Sequence, residues 1–412
     1  MPARRVVVTG LGVVSPLGLG WPDFWQGLTS GVCAITPFTR FPELRIKTAA
    51  WMPDWDGSAH FEKSALASLD PFGQYYVLAG RQALADSGFE PGPEDRVRTA
   101  IVSATASAGQ MTQDEESQRL YIQNRPRVIP LTVPRVMANS GASGLAAETG
   151  LMGPCFTLST ACSSANHAIG MAFWMIRQGV IDRALAGGSE APFALGNLRA
   201  WEATRAVDPE PCRPFSADRQ GLSLGEGGAV LMLEELSLAQ ARGARIYGEV
   251  LGFGMSADAH HVVRPLAEGA ALAMRAALSD AGLVPTEIDH INAHGTGTPL
   301  NDATESSAIR EVFGEHADQL LVTSTKSMHG HALGAAGALE ACATLLALHH
   351  GLVPPTIHHQ QDDPECRVKV VANQALEAPV QKAISNSFAF GGLNAVLAFG
   401  AYSSSRASEL MQ

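Results

Sequence analysis

The chain has 412 residues, of which 17% are charged, and a formal net charge of −11. That acidity excludes general nucleic-acid binding, and no run of 18 apolar residues reads as a membrane span. A chain this long exceeds what one core usually fills and predicts more than one domain. Six cysteines at irregular spacings give no disulfide frame, so a reducing cytoplasm is the expected compartment.

Arg4-Arg5 before Val6-Val7-Val8 superficially resembles a signal peptide, but Thr9, Gly10 and Gly12 interrupt the apolar run. A first strand and turn is the better reading. Gly10-Leu11-Gly12 suggests a dinucleotide loop, yet Ser15 stands where the third glycine belongs, and the match is declined. Phe156 to Thr160 reads as a buried strand and Asn166 to Ile176 as a largely apolar helix. Cys162 lies at their junction, between the small residues Ala161 and Ser163. Free N–H groups and the dipole of a helix start favour thiolate over thiol there. On this segment alone a buried structural cysteine is the commoner outcome.

Residues 246–254 repeat the strand-then-glycine pattern of residues 5–12, a weak internal echo that places a division near Gly243 to Tyr247. In the second half a short strand, Ile288 to Ile291, precedes His294 in Asn292-Ala-His-Gly-Thr-Gly-Thr-Pro299. Another, Leu320 to Ser324, precedes Lys326, His329 and His331 and then a helix of small residues running to Glu340. Any one of 13 histidines carries little weight, but Cys, His, Lys and His at successive strand ends form a set that chance rarely gives. Ser385 to Asn394 contains Phe388, Ala389, Phe390, Gly391 and Gly392. It reads either as a mobile loop with exposed N–H groups or as a plain hairpin turn before a strand at 395–399. His349-His350 and His358-His359 have no readable ligand geometry, so no metal is expected. Gly295-Thr-Gly297 lacks the Lys-Ser/Thr of a P-loop.

The Cys162 segment, the His294-Gly-Thr-Gly-Thr-Pro299 and Thr325-Lys-Ser-Met-His-Gly-His331 motifs and the Phe388–Asn394 loop resemble, in order and spacing, the beta-ketoacyl-[acyl-carrier-protein] synthase II family. That family is itself similar to polyketide ketosynthases. Ala186-Gly-Gly-Ser-Glu190, Arg213-Pro-Phe215, Gly225-Glu-Gly227 and Gly252 to Ser256 extend the resemblance from Val6 to Phe399.

The resemblance implies α/β architecture of the thiolase-like fold: two similar halves, 1–245 and 246–412, stacked in five layers, αβαβα. It implies decarboxylating condensation of an acyl thioester with malonyl-[acyl-carrier-protein], without metal or organic cofactor. Cys162 is then the nucleophile, and the backbone N–H groups of Cys162 and Phe390 form the oxyanion hole. His294 and His331 stabilise the enolate, Lys326 fixes His331, residues 388–392 gate the site, and Glu305 and Glu340 support it. Partners implied are an acyl carrier protein, docking through Lys63, Arg125, Arg127 and Arg205, and a second subunit. That subunit makes a homodimer or a heterodimer with a related ketosynthase-like chain.

The chain departs from the family pattern at several points. His329 replaces a usual Thr and is expected to be either a surface change or a residue that tunes the pocket. Ala389 replaces a Gly, Leu393 a Thr, and Arg219-Gln220-Gly221-Leu222 the usual Arg-Asp-Gly-Phe. Only Lys63 remains of a basic cluster before Gln74-Tyr75. These differences make a housekeeping fatty-acid role less secure, and a specialised type II polyketide or polyene ketosynthase is the main variant. A coenzyme A-dependent thiolase is the second reading, although thiolases pair one histidine with a second cysteine. A non-catalytic chain-length subunit is the third, although such subunits lack the nucleophile. Acyl chain length would depend on tunnel-lining stretches such as Ser103 to Ala108 and Phe193 to Leu198.

Overall fold

Strand β1 (Val6–Ser15) is buried at every position, as its valines and leucine, broken only by small residues, require of a strand covered on both faces. In the structure, a computed structural model describing residues 4–402, the helix α1 (Pro71–Ser87) lies directly on it. A Cβ at Gly12 would sit 1.8 Å from the carbonyl oxygen of Ala79, and one at Gly10 2.1 Å from that of Ala83. The glycines that imitate a dinucleotide loop are therefore there to admit a helix backbone.

Nine further strands, with two two-residue strands at Gly18–Leu19 beside β1 and Lys369–Val370 at the end of the second array, continue one sheet: β2 (Thr99–Ala104), β3 (Cys155–Leu158), β4 (Arg183–Glu190), β5 (Gly227–Glu235), β6 (Gly248–Ala257), β7 (His290–Asn292), β8 (Leu321–Thr323), β9 (Lys382–Ala389) and β10 (Leu393–Gly400). On one side the order is β1-β5-β4-β2-β3 and on the other β6-β10-β9-β7-β8. The sense of each pairing matches: β1/β5 and β5/β4 are antiparallel, like β6/β10 and β10/β9, and the remaining neighbours are parallel. The faint echo at 5–12 and 246–254 thus marks the first strands of two arrays with one topology. They join through a short antiparallel pairing of β1 with β6, Val6 to Val250 through Val8 to Gly248.

Helices complete five layers. α1 and α2 (Ser140–Thr149) cover the outer face of the first array, and α5 (Ala267–Ala281) and α6 (Pro299–Phe313) that of the second. Between the arrays lie α3 (Ser164–Arg177) and α7 (Ala336–His350). Every residue of α7 from Ala336 to Leu348 is buried, which accounts for its small and apolar composition. α4 (Leu195–Thr204) lies on the chain between β4 and β5. No helix among the described residues is long and apolar enough to cross a membrane.

Two expectations need correction. The strand at 156–160 is not buried: β3 ends its array, so one side of it has no neighbour among the described residues and its burial is partial, with Cys155 exposed. At 385–394 the strands run further than expected. β9 pairs with β10 as far as Ala389 with Leu393, leaving only Phe390, Gly391 and Gly392 as a hairpin turn. The glycines take φ of 89° and 69°, which side chains resist. Phe388 and Ala389 therefore belong to a strand, and Phe388 is buried.

Candidate active site

The loops that follow parallel strands leave a sheet at the strands' C-terminal ends, where functional groups are commonly displayed. After β3 the chain turns sharply: Ala161 adopts φ of 51°, a left-handed conformation that costs a non-glycine residue about 1–3 kcal/mol. The Thr160 N–H donates to Ser164 Oγ at 2.8 Å, and Ser163 Oγ–H to the Thr160 carbonyl at 2.9 Å. This elbow sets Cys162 just ahead of α3, in the wall of a cavity of about 520 Å³.

β7 and β8 are parallel neighbours, so the residues just beyond them come together. Glu305 of α6 accepts from the N–H groups of His294 and Gly295, at 2.9 and 2.8 Å, and from Asn386 Nδ2 at 3.0 Å. Lys326 Nζ donates to the His294 carbonyl at 2.7 Å, lies 3.4 Å from His294 Nδ1, and pairs with Glu340. An ammonium group only donates, so His294 Nδ1 must accept, and the ring proton belongs on Nε2. The His331 ring meets that of His294 edge to face, 5.3 Å between centroids. Its Nδ1 is buried without a hydrogen-bond partner among the described residues. Cys162, His294, His331, Phe388 and Phe390 all line the one cavity.

Lys326 therefore holds His294, not His331 as expected. The reason is topological: β7 and β8 place residue 326 beside residue 294. Past Gly330 (φ of 67°) the chain turns to pair with the segment at 223–225, through His331 N–H to the Ser223 carbonyl at 2.7 Å. His329 is neither on the surface nor in the cavity wall. It is buried, bonded to Thr325 Oγ1 at 3.0 Å and to the Gly330 carbonyl at 2.8 Å, beneath the Phe24 ring. It closes the turn of the short helix Lys326–His329.

Burial and the nearby Lys326 ammonium hold His294 and His331 well below the usual histidine range, so both rings are neutral at pH 7. The thiol runs against expectation. Burial pushes Cys162 up to about 11, although the Lys326 charge and the backbone N–H groups of Phe390 and Cys162 pull it down. A helix start does not by itself make a thiolate when the sulfur is out of water. Alkylation of Cys162 by iodoacetamide is accordingly expected to rise about tenfold per pH unit from pH 7 to 10, because only the thiolate reacts. A plateau beginning below pH 9 in the measured rate would contradict this.

Burial likewise raises Glu340, against the pull of Lys326. Lys326→Ala would strand that carboxylate without a cation, and breaking such a buried pair costs about 3–5 kcal/mol. Lys326→Met combined with Glu340→Leu should lose much less in a urea melt; equal losses would show that the pair is not what matters.

Sequence reasoning gave Glu190 no role. At the end of β4 it is fully buried and accepts from Thr105 Oγ1 and from the N–H groups of Ala106, Ser107 and Gly334. It ties both halves together behind the cavity, and burial raises it to about 7. An acid closing the run Ala186-Gly-Gly-Ser was the available signal. Trp201 and Arg264, which also line the cavity, had none. Of the four docking candidates only Arg205 is a lining residue; Lys63, Arg125 and Arg127 are exposed and lie outside the cavity wall. The stretches 103–108 and 193–198 contribute to the hydrophobic core and do not line it.

Such a cavity on this fold defines a class, the thiolase-like condensing enzymes. Residues 3–239 match the model of the beta-ketoacyl synthase N-terminal domain and residues 247–360 that of its C-terminal domain. The chain belongs to the beta-ketoacyl synthase family and is an acyltransferase of the ketosynthase type. It is 42% identical to nodulation protein E of Rhizobium sp. (strain N33), over 96% of this chain and 99% of that one. It is 40% identical to 3-oxoacyl-[acyl-carrier-protein] synthase 2 of Coxiella burnetii (strain RSA 493 / Nine Mile phase I), over 96% and 98%. Among solved structures, one described as the ishigamide ketosynthase/chain length factor matches with a TM-score of 0.92 and 39% identity, over 97% of this chain and 100% of that one.

Proposed function

We propose that the protein joins an acyl thioester to malonyl-[acyl-carrier-protein], giving a 3-oxoacyl-[acyl-carrier-protein] and CO2. The observation that carries this is the shared cavity of one cysteine sulfur and two neutral imidazoles. In the first step the Cys162 thiolate attacks the acyl carbonyl, the carrier thiolate leaves, and it takes up the proton that Cys162 gave up. The N–H groups of Cys162 and Phe390 receive the tetrahedral oxyanion. In the second, the C–C bond to the malonyl carboxylate breaks. CO2 departs with its electron pair left on the thioester enolate, whose oxygen accepts from His294 Nε2–H and from His331. In the third, that carbon attacks the Cys162 thioester, and the sulfur leaves as thiolate and regains a proton from water. Glu305 and Lys326 act by holding His294, Glu340 by pairing Lys326, and the turn at 390–392 by admitting substrate past Phe388 and Ala389.

The two halves 1–245 and 246–412 would supply the nucleophile and the imidazoles respectively; residues 1–3 and 403–412 lie outside the described residues. Arg205 and Arg264 at the cavity offer cations to an acidic carrier protein, with Lys63, Arg125 and Arg127 as outlying docking charges. A dimer would cover the free edge of β3 and exposed apolar residues such as Tyr121 and Ile122, 77% and 75% exposed. The second subunit is another copy or a chain-length partner. A cytoplasmic enzyme of fatty-acid or type II polyketide synthesis fits this reading. Intact-mass profiling with acyl-carrier and acyl-coenzyme A donors, under native conditions, tests it. The expected product is a dimer carrying an acyl group on Cys162 from the carrier donor. Loading only from coenzyme A would favour a thiolase, and no loading a non-catalytic subunit.

A further inference from the structure

Phe390 sits at the tip of the β9–β10 hairpin, and its backbone N–H is one of the groups turned towards the Cys162 sulfur. The turn that carries it is secured on one flank by backbone bonds. Gly391 N–H donates to the Val262 carbonyl at 2.6 Å, and Asp258 N–H to the Gly392 carbonyl at 2.8 Å. Asp258 is fixed in turn by Asn394 Nδ2 at 2.7 Å and Leu266 N–H at 2.9 Å. On the other flank the Phe390 ring stacks on Trp201, 5.9 Å between centroids and 25° between planes. Trp201 is its only aromatic partner among the described residues. Phe390 remains 39% exposed, so burial alone does not fix its ring. Trp201 belongs to α4, a helix that packs on the N-terminal core, and it lines the same cavity as Cys162.

We infer that Trp201 is a positioning residue that latches the Phe390 turn over the cysteine, so that the N-terminal half controls when a gate built by the C-terminal half opens. Resting on the ketosynthase reading, this adds a residue to that site and names what sets access to it. The hairpin tip has two glycines at positive φ and little side-chain packing, so its closed position depends on few contacts. An offset aromatic pair is strong enough to change the population of an open turn about 2- to 12-fold when lost.

The test is the rate of Cys162 alkylation by iodoacetamide at fixed pH, a readout that needs no condensing activity. Trp201→Leu keeps an apolar side chain and removes the stack, and should speed alkylation about 2- to 12-fold. Trp201→Phe keeps a ring and should stay within about twofold of the parent. In a Phe390→Leu background, Trp201→Leu should add nothing, because its effect runs through that ring. Unchanged alkylation in Trp201→Leu, equal acceleration in Trp201→Phe, or full acceleration in the Phe390→Leu background would each overturn the latch. If the parent protein accepts no acyl group from any carrier, the ketosynthase reading fails while the alkylation cycle still decides the role of Trp201.

Discussion

Cys162→Ala is expected to leave a folded protein that accepts no acyl group, with condensation down by about 10⁴–10⁶-fold, as when a nucleophile is removed from a preorganised site. The size of the effect follows from the absence of a substitute. The remaining cysteines, Cys33, Cys155, Cys212, Cys342 and Cys366, do not line the cavity. The fold should tolerate the change, because the elbow is held by Thr160, Ser163 and Ser164 and not by the sulfur. Loss of one buried thiol costs about 1 kcal/mol. Intact mass after incubation with acyl-carrier, beside a thermal melt, checks both halves of the statement. An acyl adduct on the alanine variant would remove the nucleophile assignment.

His294→Ala and His331→Ala should behave differently from that variant and like each other. Both should still load an acyl group on Cys162, while CO2 release from malonyl-carrier falls about 10²–10³-fold, the usual cost of one lost oxyanion donor. The rings are buried beside an ammonium group and are neutral, so each acts by donating a hydrogen bond and not by carrying charge. It follows that CO2 release should show no acid limb centred near the ordinary histidine value, 6.5. An acid limb there, or variants that lose acylation together with decarboxylation, would show that the imidazoles serve the first step instead.

The resemblance runs through short motifs at strand ends, and those are what the chain displays most legibly. Glycine and small-residue punctuation marks where strands stop, and a reactive side chain after such a stop is conspicuous. The internal echo was legible for the same reason, since a first strand packed on a helix needs glycines in both halves. What failed was assignment of partners. The motif suggests Lys326 beside His331, five residues away, whereas its neighbour is His294, 32 residues earlier. The motif leaves His329 as either a surface change or a pocket residue, because nothing in it says which way a side chain points; the structure makes it neither. The hairpin at 385–394 was open between two readings because strand length there is decided by pairing with β10 and not by its own composition.

The linear chain determined which groups are available: one thiol at an elbow, two imidazoles and an ammonium, each at a strand end, and a glycine turn after an aromatic. Periodicity and punctuation are local properties, and local sequence encodes them. The tertiary structure alone decided who touches whom, which state each group takes, and what stands guard. Lys326 reaches His294 because β7 and β8 are adjacent. The imidazoles are neutral and the thiol is held near 11 because the two arrays close around them and remove water. Trp201 meets Phe390 across 189 positions of chain. Those outcomes depend on distances and desolvation summed over segments remote in sequence, and no window of residues contains that sum.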